Sequence, residues 1–119
     1  MKKIFSVGEA AKLAGMTAET LRHYDRIGLV SPHKKDEWTR YRYYTEDEIV
    51  RLHTVHALRC MDLPLAQIKT VLELNDFPKI VEFLESAEKK ADEKIAELQN
   101  AKARIRRAKA AYEGMSTAK

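Results

Sequence analysis

The run Ser6-Val7-Gly8-Glu9-Ala10-Ala11-Lys12-Leu13-Ala14-Gly15-Met16-Thr17-Ala18-Glu19-Thr20-Leu21-Arg22-His23-Tyr24-Asp25-Arg26-Ile27-Gly28 decides the fold. Ser6 and Glu9 stand at capping-box spacing: the Ser6 hydroxyl can accept from the Glu9 amide while the Glu9 carboxylate reaches back to the Ser6 amide. A helix begins there, with Ala10, Ala11, Leu13 and Ala14 as a small apolar face, and Gly15 predicts a left-handed cap that releases the chain into a tight turn. Thr17 caps a second helix from about Ala18 to Ile27, stopped by Gly28. Its Leu21 and Ile27 are expected to look inward, leaving Thr20, Arg22, His23, Tyr24 and Arg26 for an outer or flanking face. Two short capped helices joined by a turn containing glycine read as helix-turn-helix.

Downstream, from Val30 to Tyr44, the helical period is lost. Pro32 and the polar run His33 to Glu37 precede the β-prone Trp38-Thr39-Arg40-Tyr41-Arg42-Tyr43-Tyr44, which predicts a β-hairpin. Alternation along its second strand would put Arg40 and Arg42 on one side and Tyr41 and Tyr43 on the other. A hairpin beside a helix-turn-helix is a wing. Arginine interleaved with tyrosine suits a phosphate-contacting surface, since it offers a charged donor to the phosphate and an aromatic hydroxyl or ring to the sugar. Thr45-Glu46-Asp47-Glu48 is a second capping box, rich in acid where a helix dipole is positive. Ile49, Leu52, Val55, Leu58 and Met61 continue that third helix to about Cys60. Pro64 suits the first turn of a fourth, whose stripe is Leu65, Ile68, Val71 and Leu72 and which ends at Asn75-Asp76-Phe77-Pro78.

Between Pro78 and Gly114 there is neither glycine nor proline, and Ala, Glu, Lys and Arg dominate. One helix of roughly 50 Å is predicted, too long to lie on so small a core. A heptad frame places Phe77, Leu84, Ala91, Leu98, Ile105 and Tyr112 at one seam position and Ile80, Ala87, Lys94, Ala101 and Ala108 at the other. Lys94 alone breaks the stripe, and the alanines allow close approach of a partner helix. Leu84, Ala87, Ala91, Leu98, Ala101, Ile105, Ala108 and Tyr112 are therefore the candidate dimerisation residues. The expected divisions are a winged helix-turn-helix over 1–75, a coiled-coil helix over 76–113 and a frayed, flexible tail over 114–119.

The 119 residues, 45% of them hydrophobic, suffice for one modest core. A formal charge of +4 and an isoelectric point near 9.2 permit nucleic-acid binding without requiring it. One cysteine, Cys60, rules out an internal disulfide framework, and no apolar run has the length of a signal segment or membrane span, which places the chain in a reducing cytoplasm and away from membranes. His53, His56 and Cys60 could share one helical face, but ligands on a single helix without a second cluster make a poor zinc site. No nucleophile-base pair, phosphate-binding glycine loop or paired carboxylates appear; neither an enzyme nor a metal or other cofactor is expected. The alternating charges around Glu88-Lys89-Lys90-Ala91-Asp92-Glu93-Lys94 read as a solvated helix face.

Four stretches, taken together, resemble the MerR family of transcription regulators: Ser6 to Ala11, Thr20-Leu21-Arg22-His23-Tyr24-Asp25-Arg26-Ile27-Gly28-Leu29, Tyr41-Arg42-Tyr43-Tyr44-Thr45, and Leu63-Pro64-Leu65-Ala66-Gln67-Ile68-Lys69. The resemblance is closest to the branch that senses drugs or other organic compounds. It implies a mainly α fold: a winged helix-turn-helix with a small β-hairpin as first wing, helices three and four as second wing, and a long C-terminal helix. The helix carrying Arg22, His23 and Tyr24 would enter the major groove. Thr20, Arg22, His23, Tyr24, Arg42 and Arg59 match positions that contact DNA in relatives; Thr17, Arg40, Tyr41 and Tyr43 complete the candidate set. His23 replaces a common tyrosine, and Asp62 stands where relatives often have glycine. A homodimer joined by an antiparallel coiled coil is expected, because a parallel pair would place both DNA-binding heads at the same end, and its two-fold axis calls for a pseudo-palindromic site. The resemblance implies that it binds double-stranded promoter DNA and distorts it to admit RNA polymerase. The chain ends where drug-sensing relatives attach an effector domain, which fits an excised N-terminal piece and a minimal regulator equally. The competing class is a coiled-coil protein-interaction module whose basic wing is incidental; the wing motif favours the regulator.

Overall fold

The computed structural model describes residues 3–117. Its elements in chain order are β1 (Phe5–Ser6), α1 (Val7–Ala14), α2 (Ala18–Arg26), β2 (Lys34–Lys35), β3 (Arg42–Tyr44), α3 (Glu46–Cys60), α4 (Leu65–Glu73) and α5 (Phe77–Thr117). The helices start where their caps stand. Ser6 Oγ accepts from the Glu9 amide at 3.2 Å and the Glu9 carboxylate accepts from the Ser6 amide at 3.0 Å; that backbone hydrogen bond is the first reason the Glu9 carboxyl lies below its ordinary range. Gly15, at φ +69°, closes α1 in the left-handed region. Thr17 Oγ1 accepts from the Thr20 amide at 3.1 Å. In the second box the Glu48 carboxylate accepts from both the amide and the hydroxyl of Thr45, each at 2.7 Å, so the box is closed from the glutamate side.

The hairpin expected between Val30 and Tyr44 forms, but in a three-stranded sheet of order β1-β3-β2. Phe5 pairs with Tyr44 and Ser6 with Tyr43; Lys34 pairs with Tyr43 and Lys35 with Arg42, all antiparallel. The short strand β1 has too few residues to show a period of two, which is why sequence periodicity passes over it. Trp38 to Arg40, expected within a strand, instead form the loop, and Arg40 sits at φ +66°.

The core joins α1, α2, α3, α4 and β3. Ala10, Leu21, Tyr44, Leu52, Val55 and Ile68 are inaccessible to solvent, with Ala11, Ala14, Val30, Leu58 and Leu72 nearly so. Each large member contributes about 1.5–3 kcal/mol by leaving water. The alanine face of α1 is thus confirmed, but Leu13, expected on it, is exposed, as is Ile27. Ile27 is the residue after the last turn of α2 rather than part of its buried stripe, and its carbonyl accepts from Lys69 Nζ at 3.2 Å. Gly28 follows at φ +71°, where a side chain would be strained and its Cβ would meet Lys69 Nζ at 3.5 Å.

Asp76 Oδ1 accepts from the Lys79 amide at 3.3 Å, and α5 begins at Phe77, one residue before the Pro78 that precedes its glycine-free run. At its other end α5 passes through Gly114 to Thr117, so helical structure extends beyond the expected end at 113; residues 118 and 119 of the expected tail lie outside the described residues. Forty-one residues give a helix of about 60 Å. The chain divides into a unit through Ile80 and a unit from Val81, whereas the sequence suggested a boundary after 75. No helix among the described residues is long and apolar enough to cross a membrane.

Candidate nucleic-acid interface

Helix α2 sorts its side chains by the helical period. Leu21 and Tyr24 turn into the core, Thr20 and Arg22 are half-buried, and Thr17, Glu19, His23 and Arg26 are exposed. Thr17, Thr20 and His23, spaced by three, lie on one accessible face. The two threonine hydroxyls are 2.8 Å apart, so the first turn is ordered by its own cap. Arg22 has its guanidinium 3.7 Å from Glu19 Oε2, with the Glu19 side chain 77% and the Arg22 side chain 42% exposed, a pairing weak enough to be exchanged for a phosphate. Tyr24 differs from the expectation of an outer or flanking face: it is 9% exposed, and its ring centre lies 6.1 Å from that of His23. It packs beneath the exposed face, because it follows Leu21 by three residues, and the core side of a helix this short is set by its largest apolar neighbours.

The wing presents a second difference. Alternation operates in β3, but it places Arg42 with buried Tyr44, against the protein body, rather than outward with Arg40. Arg42 Nε donates to Asp25 Oδ2 at 2.8 Å, with both side chains 17% exposed, and Lys35 Nζ lies 3.8 Å from the same oxygen. One carboxylate on α2 therefore holds both strands of the hairpin. Charge-assisted bonds of this length in a partly desolvated place are among the stronger polar contacts. The expected split of Arg40 and Arg42 from Tyr41 and Tyr43 fails at Arg40, whose left-handed backbone leaves the pleat; Arg40 and Tyr41 are exposed, and Tyr43 is half-buried. Arg59, on the last turn of α3, is exposed, and its Nη1 donates to the Leu63 carbonyl at 3.0 Å across the turn where Asp62 takes φ +61°. Aspartate tolerates that left-handed backbone better than most residues.

Two positioning residues escape a reading by motif chemistry. Asp25 looks like one acid among basic neighbours, and its role depends on a partner 17 residues away. Lys69, 42 residues from Ile27, sets α4 against the carbonyl end of α2, where a cation also suits the helix dipole. Tyr44 is fully buried and its hydroxyl has no hydrogen-bond partner among the described residues; burial, then the nearby Asp25 charge, raises its pKa. His53, His56 and Cys60 are all exposed on α3, and among the described residues no three His, Cys, Asp or Glu side chains are gathered as a metal site would need.

On α5, Leu84, Ala87 and Ala91 are half-buried, while Leu98, Ile105 and Tyr112 are 60%, 66% and 72% exposed; Ala101 and Ala108 lie between them, also exposed. Ile95, absent from the heptad frame because Lys94 occupies the expected position, is exposed and follows Ala91 by four residues and precedes Leu98 by three. On a helix of 3.6 residues per turn it fills the gap in the stripe at Lys94. Met115 continues the Ala101 and Ala108 line by one further heptad.

Two helices in a glycine turn, a hairpin clamped to the second of them and a following helical pair define a winged helix-turn-helix protein. Residues 5–75 match the family model described as MerR HTH family regulatory protein. The chain belongs to that family. It is 36% identical over 98 residues to the multidrug-efflux transporter 2 regulator of Bacillus subtilis, covering 82% of this chain and 36% of that protein. Against the multidrug-efflux transporter 1 regulator of the same organism the identity is 33% over 91 residues, covering 76% and 32%. The chain thus spans about a third of the length of these curated relatives. Among solved structures, it resembles the SkgA regulator of Caulobacter crescentus at TM-score 0.70, with 26% identity and coverage of 100% and 84%. It shares its fold at TM-score 0.74 with a MerR family regulator lacking the sensor domain and bound to promoter DNA, at 24% identity and coverage of 96% and 94%.

Proposed function

We propose that the protein binds promoter DNA as a homodimer and regulates transcription by distorting the bound promoter for RNA polymerase in the cytoplasm. The observation that carries this reading is the Asp25 clamp. By joining Arg42 and Lys35 to α2, it fixes a basic wing to the same rigid unit as the face of exposed Thr17 and His23 with half-buried Thr20 between them. A base-reading helix and a backbone-gripping wing have to be held in one register to engage a duplex together.

The roles divide accordingly. Thr17, Thr20 and His23, with Arg22 released from Glu19, read or flank the bases of one half-site; Tyr24 supports His23 from beneath. Arg40, Tyr41, Tyr43 and Arg59 serve the phosphates and sugars. Arg42 is chiefly the wing's anchor, and what remains of its guanidinium is available to a phosphate. The apolar stripe of α5 pairs with a second copy in an antiparallel coiled coil, which sets two such heads on a two-fold axis and calls for a pseudo-palindromic site with half-sites about one helical turn, or a multiple of it, apart.

The test is affinity over a range of salt for a pseudo-palindromic duplex selected by the protein from a random pool, set against scrambled DNA. Preference for the selected duplex is expected, with Arg40→Ala reducing the salt slope by about two per dimer, one for each phosphate that the missing cation no longer neutralises. Equal affinity for both duplexes rejects the reading.

A further inference from the structure

The loop between β2 and β3 is built as a fixed turn. Asp36 Oδ1 accepts from the amides of Trp38 and Thr39, each at 2.9 Å, and Thr39 Oγ1 accepts from the Tyr41 amide at 3.3 Å. The backbone closes on itself as well: the Asp36 amide donates to the Tyr41 carbonyl at 2.8 Å and the Arg40 amide to the Asp36 carbonyl at 2.9 Å. This frame displays Trp38, the chain's single tryptophan, at 93% exposure. An indole is the side chain with most to gain from leaving water, and nothing in the fold of this chain uses it.

We infer that Trp38 is a DNA-contacting side chain at the wing tip, with its ring laid on a deoxyribose of the backbone flanking the half-site and its Nε1–H donating to a phosphate oxygen. The inference rests on the promoter-DNA reading above and adds a residue outside the set assigned to it. Two observations favour nucleic acid over protein as the occupant. The tip's exposed neighbours include Lys34 and Arg40 against one exposed acid, Glu37, so the balance is positive, while the Asp36 carboxylate is turned onto the loop's own amides; lysine is depleted at protein–protein interface cores and suited to phosphates. The strands that carry the tip are also clamped through Asp25 to α2, so its position is set relative to the helix that reads the site. A preorganised turn presents the indole without an ordering cost on binding.

Because the tryptophan is unique, its emission reports on this contact directly. The 119-residue chain is titrated with a duplex that it has selected from a random pool, and Trp38 emission and its quenching by acrylamide are followed. Expected are a blue shift and loss of quencher access at saturation, and for Trp38→Ala an affinity lower by about tenfold for the dimer, roughly threefold from each protomer, at an unchanged salt slope because no cation is removed. Thermal unfolding of the variant, expected to match the parent, keeps a folding defect from imitating the result. Trp38 that stays fully accessible on saturating DNA, or a variant that binds as tightly as the parent, overturns the inference while leaving the regulator reading intact. Shielding that appears only after RNA polymerase joins the complex overturns it in favour of a protein contact. Wild-type protein with no preference for the selected duplex removes the regulator reading and this inference together.

Discussion

The unit through Ile80 and the unit from Val81 solve the burial problem in opposite ways. In the first, Leu21, Leu52, Val55 and Ile68 are closed off by their own chain. In the second, Ile95, Leu98, Ile105, Tyr112 and Met115 face water on one continuous helix. Both stretches have apolar residues at helical spacing, so amphipathicity by itself does not say whether a stripe has found its cover. The first unit contains several elements that meet at an angle around one core; the second contains a single element, and one helix has nothing to fold against. The first unit therefore stands on intramolecular contacts, whereas the stripe of the second is left without a cover from its own unit, the place where the proposed second copy would pack.

The largest effect expected from this contrast comes from Leu98→Glu. A carboxylate placed at an apolar seam costs several kcal/mol if unpaired, enough to dissociate a dimer at micromolar concentration. Sedimentation should show monomer, with unfolding of the first unit little changed. A variant that remains fully dimeric breaks the assignment of the seam.

Next in size is Leu52→Ala, the converse experiment. The side chain is wholly buried, and its removal should cost about 2–5 kcal/mol in stability of the first unit. Chemical denaturation measures it, and the sedimentation of folded protein should not change. If both variants affected both readouts alike, the two units would not be energetically separate and the contrast would lose its meaning.

Arg42→Ala sharpens the picture within the first unit. It leaves Asp25 partly buried with Lys35 at 3.8 Å as its remaining cation, and a cost of about 1–3 kcal/mol is expected from removal of the charge-assisted bond. Affinity should fall for all DNA sequences because the wing is no longer anchored, while Arg40→Ala, which removes an exposed cation from the loop, should lower affinity without lowering the melting temperature. Equal melting temperatures for Arg42→Ala and the parent would show that the clamp does not hold the wing.

The smallest effect belongs to Tyr44→Phe. A buried hydroxyl without a partner contributes little, so stability near neutral pH should stay the same or rise by up to about 1 kcal/mol. The sign of its pH dependence follows from the raised pKa. Below the ordinary tyrosine value both folded and unfolded states hold the proton; above it the unfolded chain ionises first, and stability is lost as pH rises toward the folded value. Phenylalanine should flatten that alkaline decline, as measured by denaturation at a series of pH values. An unchanged decline would assign it to other groups.

Much of this molecule is legible residue by residue. Ser6 with Glu9, Gly15, Thr17, and Thr45 with Glu48 each act through neighbours three or four positions away, so the caps and with them the order of the first helices follow from local chemistry. The length of α5 is equally local, since no residue between Pro78 and Gly114 breaks a helix. Tertiary structure decided what those elements do with their side chains. Strand β1 exists because β3 offers it an edge; Trp38 and Arg40 leave the strand because Asp36 folds the loop onto its own amides; Arg42 turns inward because Asp25 waits there, 17 residues earlier in the chain. Tyr24, polar at its tip and apolar in its ring, could face either way, and the core claimed it. Caps and helix length depend on contacts within one turn of backbone, which a sequence displays directly; strand edges, ion pairs and the facing of amphipathic side chains depend on which distant groups come to lie nearby, and only the folded chain brings those groups together.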